Sequence, residues 1–555
     1  MAKFYFDIPV SSPLNYVENS FHRIGRILVA ILAAMVFTYC FTFTNTSAIE
    51  SISPVLVESD TGTEQKDENN WIQVNHDVYG TRNSNQTVIT KNNVDKLQVK
   101  WRLFNDFEIQ EPPIVIGHKG YVQDYVGNII AFDTLTGKII WKIHIGNGPT
   151  MGLVFNHGII FSSTASNSSI VAINATNGEI KWVSKVLGNP LLGYSVDSPP
   201  IVWKNYVIAG SGGSGLPPGL GMVKGNVTAI NSINGEIIWN LDTTAGDWVK
   251  LGKTPPNGGA TAWSGGSLDP ETGKIYIPLG SASPNFNAST RQTPNFYSNH
   301  MMAINVTNGK ILWATPFIAH GTVLDVRVPD THDWDTSWGS SISRVILDNK
   351  TQEKLVVGHD KMGNVIAMNA VTGKEIWWKS LGKRYNTDSM PSSVGSGMIW
   401  SYGVYSYHAV DSDSLYIAAT NRGLNFFTDG KADTRSPLLT IEQGLRNGTI
   451  FALDLATGNI KWQYATKFPP RVSPLITNSI VFCGYIPFTE KVKSGVILAL
   501  DKQTGEKLWE FNVNAPIGPV GPSIGDGLLY VPTGKVQGLT TQGQIGGSIV
   551  AFGLP

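Results

Sequence analysis

The stretch "AFDTLTGKIIW", residues 131–141, sets apolar residues on both sides of a polar turn and reads as a tight β-hairpin. It returns six times: "AINATNGEIKW" from Ala172, "AINSINGEIIW" from Ala229, "AINVTNGKILW" from Ala303, "AMNAVTGKEIW" from Ala367, "ALDLATGNIKW" from Ala452 and "ALDKQTGEKLW" from Ala499. In every copy an Asp or Asn opens the turn, Gly follows four residues later, and Trp four after that. The Asp or Asn side chain can accept hydrogen bonds from amides of the turn. The Gly supplies the residue that takes φ > 0. The Trp stands at a fixed place on the outgoing strand, where its ring can cover a neighbouring unit.

Working outward, "EPPIVIGHKGYV", "DSPPIVWKNYVIAG", "VSPLITNSIVFCG" and "VGPSIGDGLLYVPTG" each read as a short strand, a turn and a second strand. Added to the hairpin, they give four strands per unit, the content of one propeller blade. "VDKLQVKW" near the N-terminus has the outgoing strand and Trp101 without a preceding turn, while "GGSIVAFGLP" at the C-terminus has the incoming strand alone. Joined, the two ends complete an eighth hairpin, which removes an otherwise open edge.

The expected fold is therefore all-β: an eight-bladed β-propeller whose ring is closed by its N- and C-terminal strands. From Trp101 the Trp-to-Trp intervals are 40, 41, 57, 74, 64, 85 and 47 residues. The extra length lies between Trp182 and Trp462, and long loops on a rigid scaffold are where function usually resides.

Composition agrees. The 555 residues include 58 Gly, 16 Trp and 18 Tyr, which suits a turn-rich β fold. Lys and Arg number 42, as do Asp and Glu, so the net charge is zero and no basic run points to nucleic acid. There is no CxxCH, hence no covalently held c-type haem, and no His/Cys cluster with zinc spacing. Pieces such as "GSGGSG" precede no helix, which excludes a dinucleotide loop. Of the two cysteines, Cys40 lies in an apolar N-terminal segment and Cys483 reads as a buried thiol, so no disulfide joins them.

That N-terminal segment, residues 27–43, is uncharged and follows Arg23 and Arg26. It reads as one transmembrane or signal helix, with the charged side cytoplasmic and everything after it outside. The expected organisation is a cytoplasmic leader at 1–26, a signal anchor or signal peptide at 27–46, a polar linker at 47–70 and the propeller at 71–555. Nine sequons, at Asn45, Asn85, Asn167, Asn174, Asn226, Asn287, Asn305, Asn349 and Asn447, are consistent with a glycoprotein outside the cytoplasm. A chain secreted after cleavage is the alternative to a membrane-anchored one.

Hairpins of the form A-x-[DN]-x-x-[TN]-G-x-x-x-W resemble the tryptophan-docking motifs of the quinoprotein dehydrogenases, which bind pyrroloquinoline quinone (PQQ). The resemblance covers roughly residues 71–555, and the central part is most similar to the polyvinyl-alcohol-dehydrogenase branch. It implies roles for particular residues. "GGATAWSGG" is similar to the segment that holds the quinone, which makes Thr261 a hydrogen-bond partner and Trp263 the aromatic floor. "DTHDWDTSWG" resembles the catalytic segment, with Asp335 as the base that takes the substrate's hydroxyl proton as hydride leaves carbon. "GHDKMGNVIAMNA" matches the stretch whose basic residue contacts the quinone oxygens, here Lys361. "LYIAATNRGLNFF" implicates Asn421, or Arg422 beside it, as a further cofactor contact.

Family members also hold Ca²⁺ or a lanthanide at the quinone through a Glu, an Asn and the catalytic Asp. Here the Glu's counterpart is Gly215 and the Asn's is Ser281, and Ser337 stands two beyond Asp335. The candidate ligands left are Asp335, Asp333 and Asn285, with Asn287 as the alternative to Asn285 and His332 in the same loop as the two acids. Without the Glu, much of the charge that holds such an ion is missing. "GPTMGLVFNHG" replaces the adjacent-cysteine disulfide of the methanol-dehydrogenase branch and puts His157 near an arginine position.

The resemblance thus implies an extracytoplasmic PQQ-dependent dehydrogenase of a small alcohol or polyol. It would pass electrons to a separate acceptor such as a cytochrome or copper protein, with Ca²⁺ as a second cofactor. The alternative is a non-catalytic propeller acting as a protein-interaction scaffold at the cell envelope.

Overall fold

The repeated hairpins fold as their turn chemistry requires. Asp133 Oδ1 accepts from Thr136 N at 2.8 Å, Asn305 Oδ1 from Thr307 N at 2.9 Å, and Asp501 Oδ1 from Gln503 N at 2.8 Å. The seven turn glycines lie at φ between 70° and 77°. Each faces the Trp of the preceding unit, from Gly137 against Trp101 to Gly505 against Trp462. The indole N–H then donates into the same turn, for example from Trp101 to Thr134 O at 2.8 Å, from Trp239 to Val306 O at 2.7 Å and from Trp377 to Leu455 O at 2.9 Å. Asp or Asn, Gly and Trp are therefore one device that docks each blade on the next.

A Cβ at Gly458 would lie 2.7 Å from Cε3 of Trp377, and its φ is +71°. Gly458→Ala combines left-handed strain of about 1–2 kcal/mol with displacement of the ring. We expect a loss of about 2–3 kcal/mol in denaturant titration, with a red shift of tryptophan emission.

This computed structural model describes residues 69–146, 152–164, 167–190, 194–211, 224–244, 258–280, 282–283, 297–317, 340–347, 351–360, 363–381, 398–425, 447–485, 494–534 and 546–555. The leader, the apolar segment and all but the last two residues of the linker lie outside them. Among the described residues no helix is long and apolar enough to cross a membrane.

The strands form eight antiparallel blades, ordered from inner strand A to outer strand D. Blade 1 comprises Ile114–Ile116, Lys119–Gln123, Asn128–Asp133 and Ile139–His144. Blade 2 comprises Val154–Asn156, Ile159–Thr164, Ser169–Asn174 and Ile180–Val183. Blade 3 comprises Ile201–Trp203, Tyr206–Ser211, Asn226–Asn231 and Ile237–Asp242. Blade 4 comprises Ser267–Asp269, Lys274–Pro278, His300–Asn305 and Ile311–Pro316. Blade 5 comprises Ser341–Leu347, Thr351–His359, Asn364–Asn369 and Glu375–Ser380. Blade 6 has a split strand A, Met398–Val404 and Ala409–Val410, followed by Ser414–Asn425, Gly448–Asp454 and Ile460–Thr466. Blade 7 comprises Val472–Ile476, Ile480–Tyr485, Val496–Asp501 and Lys507–Asn512.

Blade 8 closes the ring as the two chain ends suggest. Ser523–Gly525, Leu528–Thr533 and Gly547–Gly553 are completed by Gln98–Asn105, paired from Gln98 with Gly553 to Asn105 with Gly547. This blade has no C–D turn for the last Trp to dock into. Trp509 packs instead edge-on against Phe552 of the closing strand, with centroids 5.6 Å apart.

Because the strands alternate in direction, A–B and C–D turns share one face, and B–C and D–A connections share the other. The first described segment lies along the inner strands. Trp71 exchanges two hydrogen bonds with Val115 in blade 1, and Ile72 O accepts from Phe155 N in blade 2. Val78, Tyr79 and Thr81 carbonyls accept from Leu268, Ile342 and Val410 in blades 4, 5 and 6, and Arg82 O accepts from Ile476 N in blade 7. Residues 71–82 therefore pair with six blades in twelve residues and form a plug across the inner strands.

Cys483 is a buried free thiol in blade 7. Asn226 is only 8% exposed, and the Oδ1 atoms of Asn174 and Asn305 accept hydrogen bonds within their turns.

Candidate functional site

Trp263 stands in the D–A connection from blade 3 to blade 4, in "GGATAWSGG". That connection is held by backbone contacts. Gly258–Gly259 pairs with Ala282–Ser283 of the blade 4 B–C connection, and Gly280 N donates to Thr261 O at 2.8 Å. A Cβ on Gly210 would sit 2.0 Å from Ala262 O, so glycine alone lets strand B of blade 3 approach this closely. Ala260 sits at φ +51°, a strained conformation of the kind that gathers at functional sites.

Half-buried Trp263 packs against Val74 of the plug, Tyr407 of blade 6 and Val520 of the connection into blade 8. Residues remote in sequence meet under one indole, which puts Trp263 near the propeller axis. Tyr407 is placed there by the break in blade 6: residues 405–408 stand opposite only Ile417 and Ala418, a wide bulge. Its hydroxyl donates to Ser264 O at 3.0 Å and its N–H to Ser473 Oγ at 2.9 Å.

Beneath lies Arg82, fully buried. Its Nε donates to Pro474 O at 2.7 Å, Nη1 to Val74 O at 3.0 Å and Nη2 to Pro522 O at 2.9 Å. No carboxylate among the described residues pairs with it, and burial lowers its pKa to about 9.

Two acids share this face. Glu111 is buried, and burial alone pushes its carboxyl well above the usual range. A Cβ on Gly152 would meet both Val74 and Glu111 Oε2, which places that carboxyl beside the plug residue under Trp263. Asp197 accepts from Ser195 Oγ at 2.8 Å, and burial pushes its pKa up to about 6. It precedes Ser198, whose hydroxyl bonds Gly210, the residue against Ala262.

Since the folded state holds the Asp197 proton more tightly than the unfolded chain, stability falls as pH rises from about 4 to about 6. The deficit, up to about 3 kcal/mol, persists above that range. Asp197→Asn should therefore stabilise the protein at pH 7.5 and not at pH 4, as read by denaturant midpoints at the two pH values.

Of the residues singled out by sequence, Thr261 is buried in this connection and Trp263 lies near the axis. Asn421 falls on strand B of blade 6, its backbone opposite Tyr402; its side chain, like that of Arg422, is outside the described residues. Asp335, Asp333, His332, Lys361, Asn285, Gly215, Ser281 and Ser337 are also outside them. Lys361 follows Asp360 in a "DKMGN" turn whose frame is described: Asn364 N donates to Asp360 Oδ1 at 2.8 Å. "DYVGN" in blade 1 repeats the frame, with Asn128 N on Asp124 Oδ1 at 2.9 Å. His157 lies instead on an exposed A–B turn at φ +45°, on the opposite face, so it does not take an arginine's place at the site.

Sequence reading missed Glu111, Asp197, Arg82 and Tyr407. A signal existed for the two acids: "EPPIV" and "DSPPIV" both set a carboxylate before Pro-Pro at the head of an inner strand. Arg82 and Tyr407 carried none, since their partners lie far along the chain.

Two family profiles match. "Glucose/ethanol/alcohol dehydrogenase, beta-propeller domain" matches residues 186–378. "Outer membrane protein assembly factor BamB" matches 84–249 and 301–546. The quinoprotein alcohol dehydrogenase PedH of Pseudomonas putida is 24% identical over 478 residues, covering 73% of this chain and 77% of that protein. The putative dehydrogenase XoxF of Paracoccus denitrificans is 27% identical over 346 residues, covering 55% of this chain and 54% of that protein. Among solved structures, a europium-containing methanol dehydrogenase aligns with a TM-score of 0.71 at 19% identity, covering 88% of this chain and 99% of that one. At that identity the likeness concerns the fold. Together with the docked hairpins and the ring closure, these matches show that the chain belongs to the PQQ-dependent alcohol-dehydrogenase-like family of eight-bladed β-propellers.

Proposed function

We propose that this protein is a PQQ-dependent dehydrogenase that oxidises a small alcohol or polyol outside the cytoplasm and passes electrons to a separate carrier. The observation that carries this reading is Trp263 near the axis, one side packed on Val74, Tyr407 and Val520. The other described residues fit the same group. PQQ is flat and polyanionic, and here an aromatic floor stands near a buried guanidinium that has no carboxylate partner among the described residues. Burial favours the protonated form of Glu111, which has an O–H to donate, and Thr261 adds a hydroxyl.

When bound, PQQ supplies the two-electron acceptor for hydride from the alcohol carbon. In this reading Trp263 orients the cofactor plane, and Asp335 accepts the hydroxyl proton. Lys361 sets a positive charge beside the quinone oxygens, and Asn421 adds a hydrogen bond. With Gly215 where relatives carry a Glu, Asp335, Asp333 and Asn285 are the residues left to hold Ca²⁺. The apolar segment at 27–46 is read as the anchor or export signal.

The test is alcohol-dependent reduction of an electron-accepting dye by the purified chain, with PQQ and Ca²⁺ added singly and together. Turnover that needs PQQ supports the proposal. PQQ binding without turnover on any primary, secondary or poly-alcohol would favour the scaffold reading, which the missing Glu at Gly215 also suits.

A further inference from the structure

Each repeated C–D turn presents one residue at its tip, two after its Asp or Asn. In blades 2, 4, 6 and 7 that residue is Thr176, Thr307, Ala456 or Gln503. In blades 1, 3 and 5 it is Leu135, Ile233 or Val371, exposed by 60, 72 and 65%. With Phe104 these are the most exposed large apolar side chains among the described residues. The docking device uses the Asp or Asn, the Gly and the Trp, and polar tips serve it equally well in other blades. The fold therefore does not account for apolar tips. Because the turn is the same in every blade, the three tips hold equivalent places on one face, in alternate blades.

Around blade 3 the tip has company. Ser232 N donates to Asn205 O at 3.0 Å, which joins the C–D turn to the A–B turn carrying Trp203 and Lys204. Half-buried Trp203 stacks on Tyr206 with centroids 6.1 Å apart, and the exposed Lys204 ammonium lies 4.4 Å from the Trp203 ring centroid. Exposed lysines, Lys138 and Lys374, follow the turn glycines of blades 1 and 5, while Glu236 takes that place in blade 3. Aliphatic tips beside amphipathic aromatics and lysines are the composition of a contact at the boundary between lipid headgroups and acyl chains.

We propose that the face made by the A–B and C–D turns docks on a lipid bilayer, with Leu135, Ile233 and Val371 inserted among the headgroups. Two observations favour lipid over a protein partner. The tips stand singly, with polar tips in blades 2 and 4 between them, so they make no continuous patch for a shaped surface. Separate small wedges suit a fluid surface instead. The chain also reaches the propeller on this face. Asn70 Oδ1 accepts from Gly117 N in the A–B turn of blade 1 at 2.9 Å, and Asn69 O lies against Gly525 at the A–B turn of blade 8. The uncharged segment at 27–43 ends 26 residues before Asn69 (69 − 43), a span of at most about 90 Å when extended. Acting as an anchor, it would keep this face at high effective concentration beside the bilayer, so that three weak insertions suffice. That tether rests on the anchor reading given above. Docked in this way, the connection carrying Trp263 faces away from the bilayer, open to dissolved substrate and acceptor.

The experiment uses the full chain with Cys40→Ser, since Cys483 is buried, and one new cysteine carrying an environment-sensitive fluorophore. The label stands at Asn234→Cys, beside the blade 3 tip, or at Val186→Cys, in the D–A connection from blade 2 on the opposite face. Vesicles contain phosphatidylcholine and phosphatidylglycerol with a spin-labelled quencher lipid. We expect the label at position 234 to shift to the blue and to be quenched roughly threefold more than the label at 186. Leu135→Ser, Ile233→Ser and Val371→Ser together should bring it down to the level at 186, with the fold retained by circular dichroism because all three side chains are exposed. Equal quenching at the two positions overturns the proposal. So does a label at 234 that becomes buried without vesicles as protein concentration rises, which assigns the face to a second copy. Vesicle flotation of the same samples reads the anchor separately. A chain that does not float contradicts the anchor reading alone, and the label at saturating lipid still decides the docking. None of these outcomes depends on PQQ.

Discussion

Arg82→Ala is expected to lower folding stability by about 4 kcal/mol or more, the largest loss we foresee for any single side chain here. The guanidinium is fully buried and donates to carbonyls in three places: Val74 in the plug, Pro474 in blade 7 and Pro522 at the start of blade 8. Alanine leaves three buried acceptors without donors at roughly 1–3 kcal/mol each and adds a cavity. Relief of an unpaired buried charge offsets part of that cost. Arg82→Lys should recover only a fraction, because one ammonium cannot span acceptors that a rigid fork reaches together. Denaturant titration with far-UV detection reads the effect. An unchanged midpoint in the alanine variant would show that the plug is held by its backbone bonds alone.

The second large effect belongs to Trp263→Ala, which should weaken PQQ binding at least 100-fold, about 3 kcal/mol, while leaving the propeller folded. The fold should survive because the connection is fixed by its backbone: Gly280 N to Thr261 O, the Gly258–Gly259 pairing, and Tyr407's hydroxyl on Ser264 O. The affinity should not, because in the proposed function the ring is the flat surface on which a tricyclic quinone would stack. Trp263→Phe should fall between the two. Fluorescence titration and circular dichroism on the same samples separate the loss of the floor from loss of the fold.

The architecture was legible because its determinants are local. An Asx turn, a left-handed glycine and a tryptophan four residues on are written within nine residues, and the structure uses all three in one contact. Ring closure was legible because each terminus carried half a hairpin. Of the residues that a motif singled out, Trp263 and Thr261 are described, both in the connection from blade 3 to blade 4. Arg82 was not legible, since its decisive partners Pro474 and Pro522 lie 392 and 440 residues away. Tyr407 was not, because a bulge arises from the pairing of two strands and leaves no composition signal. Glu111 and Asp197 lay between these cases, visible as acids before Pro-Pro but without a reason to single them out until burial supplied one. His157 misled because its neighbours in sequence resemble a site segment while the strand reversal carries it to the other face.

Equilibrium titration of PQQ into the purified chain, with and without Ca²⁺, tests the central claim most directly, since the quinone's absorbance and the quenching of tryptophan emission report binding independently of turnover. We predict saturable binding of one PQQ per chain, with quenching that disappears in Trp263→Ala. Absence of saturable binding in both conditions would contradict the account and leave the axial face of this propeller to another ligand.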